Sequence, residues 1–129
     1  QSMHFGPEFI NFSRQDPKNK ENVDNFVWTP NTGWQGPKIV KLSGGGKLED
    51  NLFNIDDVNW DAIPVFIAET EKLAKENGIE KASLGSSIMI NFNVRKQTLS
   101  FSATVKGERK DAYSTGDVQT GKVTNFRVK

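Results

Sequence analysis

The segment Asn54–Ile79, NIDDVNWDAIPVFIAETEKLAKENGI, carries a full set of helix signals. Asp61 can cap the first turn, and Pro64 then occupies the third helical position, where its missing N–H has no intrahelical partner. Gly78 suits a left-handed residue after the last turn, and Ile79 can then fold back onto the helix. The sequence therefore predicts one amphipathic helix, whose apolar stripe comprises Trp60, Ile63, Phe66, Ile67, Leu73 and Ala74.

After Gly78 the apolar residues alternate with polar ones, a period of two that is typical of strands. The clearest runs, Ile88–Val94 and Leu99–Lys106, are joined by a short polar segment and predict an antiparallel hairpin. Weaker runs at Lys110–Thr115 and Val123–Val128 predict two more strands. The predicted fold class is α+β with two layers, in which one main amphipathic helix packs on an antiparallel β-sheet meander.

The residues before the helix give weaker signals. Phe5–Ser13 is apolar enough to dock on a core as a short helix or strand, while Val23–Trp28 and Lys38–Leu42 are plausible strands. The glycine-rich run Ser43–Lys47 lacks the first glycine and the final hydroxyl residue of a phosphate-binding loop, so we interpret it as a flexible turn. The order of these N-terminal strands in the sheet is left open.

The length of 129 residues suits one domain with a single core. We assign residues 4–129 to that domain and interpret Gln1-Ser2-Met3 as the remnant of a purification tag. With 17 basic and 16 acidic residues the formal net charge is +1, so no overall field attracts nucleic acid. No apolar run approaches the roughly 20 residues that a membrane-spanning helix needs.

Residue types for catalysis and metal binding are scarce. There is no cysteine, and His4 is the single histidine, so the common zinc ligand sets are missing and a Ser-His-Asp triad would have to use His4. The carboxylates that precede the helix lack EF-hand spacing, and acidic residues are expected there because they oppose the helix dipole. The carboxylates in question are Glu49, Asp50, Asp56, Asp57 and Asp61. We predict no catalytic residue, no metal and no cofactor.

Two groups of residues are candidates for binding. Trp34 lies among turn residues, where it either covers the core or contacts a partner, since exposed tryptophan is enriched at binding hot spots. The outward face of the predicted meander is polar and suits a protein partner or a glycan, although a plain solvated face is the simpler interpretation. That face lacks aromatic residues for stacking on bases, which argues against nucleic acid. Its residues are Asn91, Asn93, Ser100, Ser102 and Thr104.

The segment Asp117-Val118-Gln119-Thr120-Gly121-Lys122-Val123 resembles the closing D-x-x-T-G-x-V hairpin of PepSY-like domains. The resemblance extends, as a pattern, over the helix and the strands that follow it. It implies a small exported bacterial α+β domain with a binding or inhibitory role outside the cytoplasm and with no catalytic residues.

Together these features predict a non-enzymatic bacterial binding module, exported to the periplasm or cell envelope, that contacts a protein or cell-envelope component. The alternative is a small enzyme or ligand carrier with a cavity between helix and sheet. A third possibility is a cytoplasmic structural subunit that dimerises through an exposed strand edge.

Overall fold

The computed structural model describes residues 2–6, 8–42 and 47–129, without the side chains of residues 2 and 85–87. The predicted turn at Ser43–Lys47 lies almost wholly outside these residues. One α-helix, α1 (Ala62–Glu76), and eight strands lie in the described part of the chain. The strands are β1 (Ser2–Gly6), β2 (Phe9–Gln15), β3 (Val23–Thr29), β4 (Gly33–Ile39), β5 (Ser83–Asn93), β6 (Thr98–Lys106), β7 (Ala112–Asp117) and β8 (Val123–Val128).

All eight strands belong to one antiparallel sheet with the order β4-β3-β2-β1-β5-β6-β7-β8. The first strand therefore lies in the middle of the sheet, between β2 and β5. Ser2 and Met3, which the sequence led us to leave out of the fold, pair with Asn91 and Ile90 of β5. Two short 3-10 turns, Leu48–Asn51 and Ile55–Asp57, connect the N-terminal strands to α1.

The predicted fold class, a two-layer α+β domain built around one main helix, was wrong. The molecule is mostly antiparallel sheet, and α1 is a 15-residue element beside eight strands in the described part of the chain. The error arose before the helix, where four strands form in place of two predicted strands, a short helix or strand at Phe5–Ser13, and loops. Glycine and proline in Gly33–Ile39 signal turns locally, but an edge strand tolerates them because one side of its backbone needs no partner.

The start of α1 agrees with the prediction only in part. Pro64 is the third helical residue, as predicted, but the Asp61 side chain makes no capping hydrogen bond. Asn59 does this instead: its Oδ1 accepts the Asp61 N–H at 3.2 Å, and its carbonyl accepts the Ala62 N–H at 3.0 Å. Asp61 is therefore not the cap, because the turn that starts the helix begins two residues earlier.

The C-terminal end of α1 is a Schellman turn, which confirms the predicted role of Gly78. Gly78 has φ +70°, and its N–H donates to the Lys75 carbonyl at 3.1 Å. The Ile79 N–H donates to the Ala74 carbonyl at 3.0 Å, and the buried Ile79 side chain packs with Ala74 and Val105. A left-handed glycine thus ends the helix and returns the chain to the core.

The helix buries a line of residues spaced four apart, namely Ala62, Phe66, Thr70 and Ala74. Phe66 packs against Phe101 of β6, with ring centroids 5.6 Å apart. Thr70 was not on the predicted stripe, yet it is fully buried, and its hydroxyl pairs with that of Ser114 at 2.9 Å. The helix therefore covers the half of the sheet that contains β5–β8.

The D-x-x-T-G segment forms the turn between β7 and β8 and docks it on the start of α1. The Asp117 carboxylate accepts the N–H groups of Gln119 at 2.7 Å and Thr120 at 3.1 Å, a local turn in which this side chain holds the backbone. Asn59 donates to the Gln119 carbonyl at 2.9 Å. Gly121 has φ +77° and lies against the Ala62 carbonyl. These residue types are therefore explained by structure, without a ligand.

A second turn, between β6 and β7, is held by hydrogen bonds to the Asp111 carboxylate. Lys106 donates to the Asp111 carboxylate at 2.8 Å, and the Gly107 N–H donates to it at 3.3 Å. These bonds, the lysine first, lower the pKa of Asp111 below its ordinary value. A carboxyl group with a lowered folded-state pKa stabilises the fold above its unfolded-state pKa.

We expect Asp111→Asn to lower the melting temperature at neutral pH and to have less effect in acid. The contribution of Asp111 is lost as the pH falls through its folded-state pKa, because protonation then removes the same charge as the substitution. Thermal unfolding of both proteins at pH 7 and at about pH 2 tests this. A difference in melting temperature that is equal at the two pH values would contradict it.

Candidate binding surfaces

The strand register places an aromatic surface on the same side of the sheet as α1. Ile90 of β5 is buried beneath the helix, and Met3 lies opposite it. Met3 is also the cross-strand partner of Phe12 in β2, and Phe12 is the cross-strand partner of Phe26 in β3. Directly paired residues project to the same side, so the side that carries the core continues across β2–β4.

We call the residues Phe12, Phe26, Trp28 and Trp34 the aromatic face. Phe12 and Phe26 stack with centroids 5.4 Å apart and an angle of 20° between the rings. Trp34 meets Phe12 edge to face at 5.8 Å. The Arg14 guanidinium lies 5.0 Å from the centre of the Phe26 ring, within cation–π range. These contacts fix the orientation of the rings before any partner binds.

The aromatic face is only partly shielded from solvent. Trp34, which lies in β4 and not in the predicted loop, remains 59% exposed, and Ile39 at the end of β4 is 89% exposed. Trp60 packs edge to face on Phe5 at 6.3 Å and remains half exposed at the margin towards α1. An apolar sheet surface with this much exposed large side chain is a candidate contact surface.

A groove of about 410 Å³ borders the aromatic face. Its floor includes Met3 and Phe12, and its wall is the segment Leu52–Ile55. Ile55 in this wall is itself exposed. The groove is therefore apolar at its base and open to solvent, and it continues the aromatic face towards the middle of the sheet.

The predicted polar residues lie on the opposite side of the sheet from Trp34. Asn91 donates to the Ser102 hydroxyl at 2.6 Å, and Ser102 is buried. Ser100 is the cross-strand partner of Asn91, and Asn93 is exposed, with its side chain accepting the Lys96 N–H. Thr104 is half-buried opposite Tyr113. The two groups of predicted binding residues therefore form two surfaces and cannot form one site.

The polar side also extends across residues that the sequence analysis missed. Asn25 of β3 donates to the Asn11 side chain at 2.8 Å and to the Ser13 hydroxyl at 3.1 Å. His4 of β1 lies between Asn11 and Met89 in the register. The alternation of apolar and polar residues in Phe9–Ser13 carried this signal, but the run was too short to identify as a strand.

The carboxylates before α1 do not converge on a common point. Asp56 and Asp57 lie in the second 3-10 turn, where Asn54 accepts the Asp56 N–H at 3.0 Å. No group of three or more metal-ligating side chains that could hold an ion occurs among the described residues. In the same residues, no helix has both the length and the apolar character needed to cross a membrane.

Comparison with protein families, curated proteins and solved structures gave no match.

Proposed function

We propose that this protein is a non-enzymatic bacterial binding module that docks a protein partner on its aromatic face. The observation that carries this proposal is the state of Trp34, which is 59% exposed and yet held edge-on by Phe12. A tryptophan held in place before binding loses little conformational freedom on contact, and tryptophan dominates many binding hot spots. The surrounding exposed residues are aliphatic as well as aromatic, which suits a protein more than a glycan.

The rim of the aromatic face supports the same choice. Ile39 and Ile55 are branched aliphatic side chains that gain from burial in an apolar contact. Arg14 adds a charged group that already stacks on Phe26, an arrangement frequent at protein interfaces. The alternative, a carrier with a cavity between helix and sheet, is less well supported because Phe66 and Phe101 fill that space and the groove lies beside β2.

We propose further that the module is exported to the periplasm or cell envelope. The support is the resemblance to PepSY-like domains that the sequence of the Asp117–Val123 segment carries. A partner on the envelope would then meet the aromatic face directly.

We expect Trp34→Ala to reduce the affinity for an envelope partner by at least about 10-fold, because it removes the most exposed ring of the aromatic face. The immobilised protein is first used to recover the partner from a bacterial envelope extract. The purified partner is then titrated by calorimetry against the wild type and the variant.

The matched control is Tyr113→Ala, which removes an exposed aromatic side chain from β7 on the opposite side of the sheet. It should leave the affinity unchanged. Equal losses in both variants, or no loss in Trp34→Ala, would show that the aromatic face is not the binding surface.

A further inference from the structure

We infer that the partner on the aromatic face is a second copy of this chain, so that two copies form a two-fold symmetric dimer. This inference rests on the proposed function, because it names the partner of the same surface. It follows from three features: the layer that the sheet lacks, the self-complementary arrangement of its side chains, and the blocked edge of β4.

The part of the sheet that α1 leaves uncovered has room for a second sheet. A helix is about 10 Å wide, and stacked sheets lie about 10 Å apart, so α1 and a second sheet occupy layers of similar thickness. In one copy α1 forms that layer over β5–β8, whereas β2–β4 present exposed Trp34 and Ile39. A second copy facing the first places its own β2–β4 in the empty part of the layer, next to the first copy's α1.

The side chains of β2 and β3 are complementary to their own two-fold image. A two-fold axis parallel to the strands and between β2 and β3 places β2 of each copy over β3 of the other. In the register, Phe12 pairs with Phe26 and Arg14 pairs with Asp24. The axis therefore sets Phe12 over the second copy's Phe26, and the Arg14 cation near the second copy's Asp24. Each Arg14 thus meets an Asp24 of the other copy, so both symmetry-related contacts pair opposite charges.

The same axis places the exposed margins against each other. β4 of each copy lies over the margin of β1 in the other, where Trp60 packs on Phe5 and where the groove opens. Trp34 then approaches the second copy's Trp60, and Ile39 approaches the groove beside Leu52–Ile55. The largest exposed apolar side chains on this side of the sheet are thus covered together.

Addition of a strand to β4 is a poorer explanation. Pro37 lies within β4 and has no N–H to donate, and the pairing of β4 with β3 shifts register between Asn25 and Val27. Proline and bulges are devices that block pairing at a sheet edge. The occupant is therefore expected to pack on the face of the sheet and not to extend it.

The arrangement is tested with charge reversals that complement each other only between copies. Arg14→Asp gives a chain with acidic groups at both residue 14 and residue 24. Asp24→Arg gives a chain with basic groups at both. Each variant alone should dimerise at least about 10-fold more weakly than the wild type, because like charges then face each other. An equimolar mixture should recover a heterodimer with an affinity within about 3-fold of the wild type.

The measurement is sedimentation equilibrium of the full chain from low to high micromolar concentration, with circular dichroism of each variant to verify folding. The matched control is Arg127→Asp. Arg127 lies in β8 as the cross-strand partner of Tyr113, on the polar side of the sheet, so this substitution should leave dimerisation unchanged. Recovery in the mixture separates a contact between copies from one within a copy.

A wild-type chain that stays monomeric throughout would overturn the inference. So would a dimer that neither charge reversal weakens, or one that the mixture does not restore. Failure of the inference is distinguishable from failure of the proposed function. A monomeric wild type whose Trp34→Ala variant still loses an envelope partner refutes only the second copy, whereas retention of that partner refutes the function of the aromatic face.

Discussion

Phe66→Ala is expected to lower the free energy of unfolding by about 3–5 kcal/mol, the range for deleting a buried phenylalanine side chain. Phe66 is completely buried, and its ring packs on Phe101 and fits closely over Gly116. Gly116 leaves room for the ring because a side chain there would collide with it. The cavity left by the substitution is therefore bounded on one side by the β7 backbone at Gly116, which cannot readily collapse into it.

The matched control for this prediction is Val65→Ala, one residue earlier on α1. Val65 is 46% exposed, so the loss of its two methyl groups should cost at most about 0.5 kcal/mol. Urea denaturation of the wild type and both variants gives the three free energies. If the free energy of unfolding of Phe66→Ala lies within about 1 kcal/mol of the wild-type value, the contact between helix and sheet contributes far less to stability than its burial indicates.

Gly121→Ala is expected to destabilise the fold by about 3 kcal/mol or more. Gly121 has φ +77°, a conformation that costs an alanine about 1–2 kcal/mol. A Cβ at this position would also overlap the Ala62 carbonyl oxygen and lie 2.8 Å from the Val65 Cβ. Neither of these neighbours can rotate away, because both are fixed to α1, so the turn and the helix must separate.

Gly78→Ala provides the comparison that isolates the collision. Gly78 has a similar φ of +70°, but a Cβ there meets no atom within 4 Å. This variant should lose only the conformational part, about 1–2 kcal/mol. Chemical denaturation of both variants measures the difference. Equal losses would mean that the β7–β8 turn does not press against the start of α1.

The elements that the sequence predicted correctly are those with local signals. The period of two in β5 and β6 gave a hairpin, and Asn93 lies opposite Thr98 at its turn. Gly78 marked the end of α1 because a left-handed residue is a local requirement. The start of α1 was harder, since Asn59 caps a turn that is stabilised by the distant Gln119 carbonyl.

Of the four N-terminal strands, only β3 was predicted close to its observed bounds, as Val23–Trp28. The other three could not be predicted with the same rules. Each is short, and β4 contains Gly36 and Pro37, which locally favour a turn. These segments become strands because they pair with one another and with β5, an interaction between residues far apart in the chain. Local propensity gives way to tertiary context in such cases.

The candidate surfaces were predicted in part for the same reason. Asn91 and Ser100 alternate with core residues of β5 and β6, so their side of the sheet followed from the pattern. The aromatic face depends on the register that sets Phe12 beside Phe26 and Trp28 beside Trp34. No spacing in the sequence reports that register, so Trp34 was identified as a candidate without its neighbours.

The pairing of β1 with β5 holds the two halves of the sheet together. Among the described strands, only β1 and β5 are neighbours that do not follow one another in the chain. The sheet is thus two meanders joined only by the pairing of β1 with β5. If β1 detaches, the backbones of β2 and β5 both lose a partner. Two unpaired strand edges, which can pair with other chains, are then exposed in the middle of the sheet.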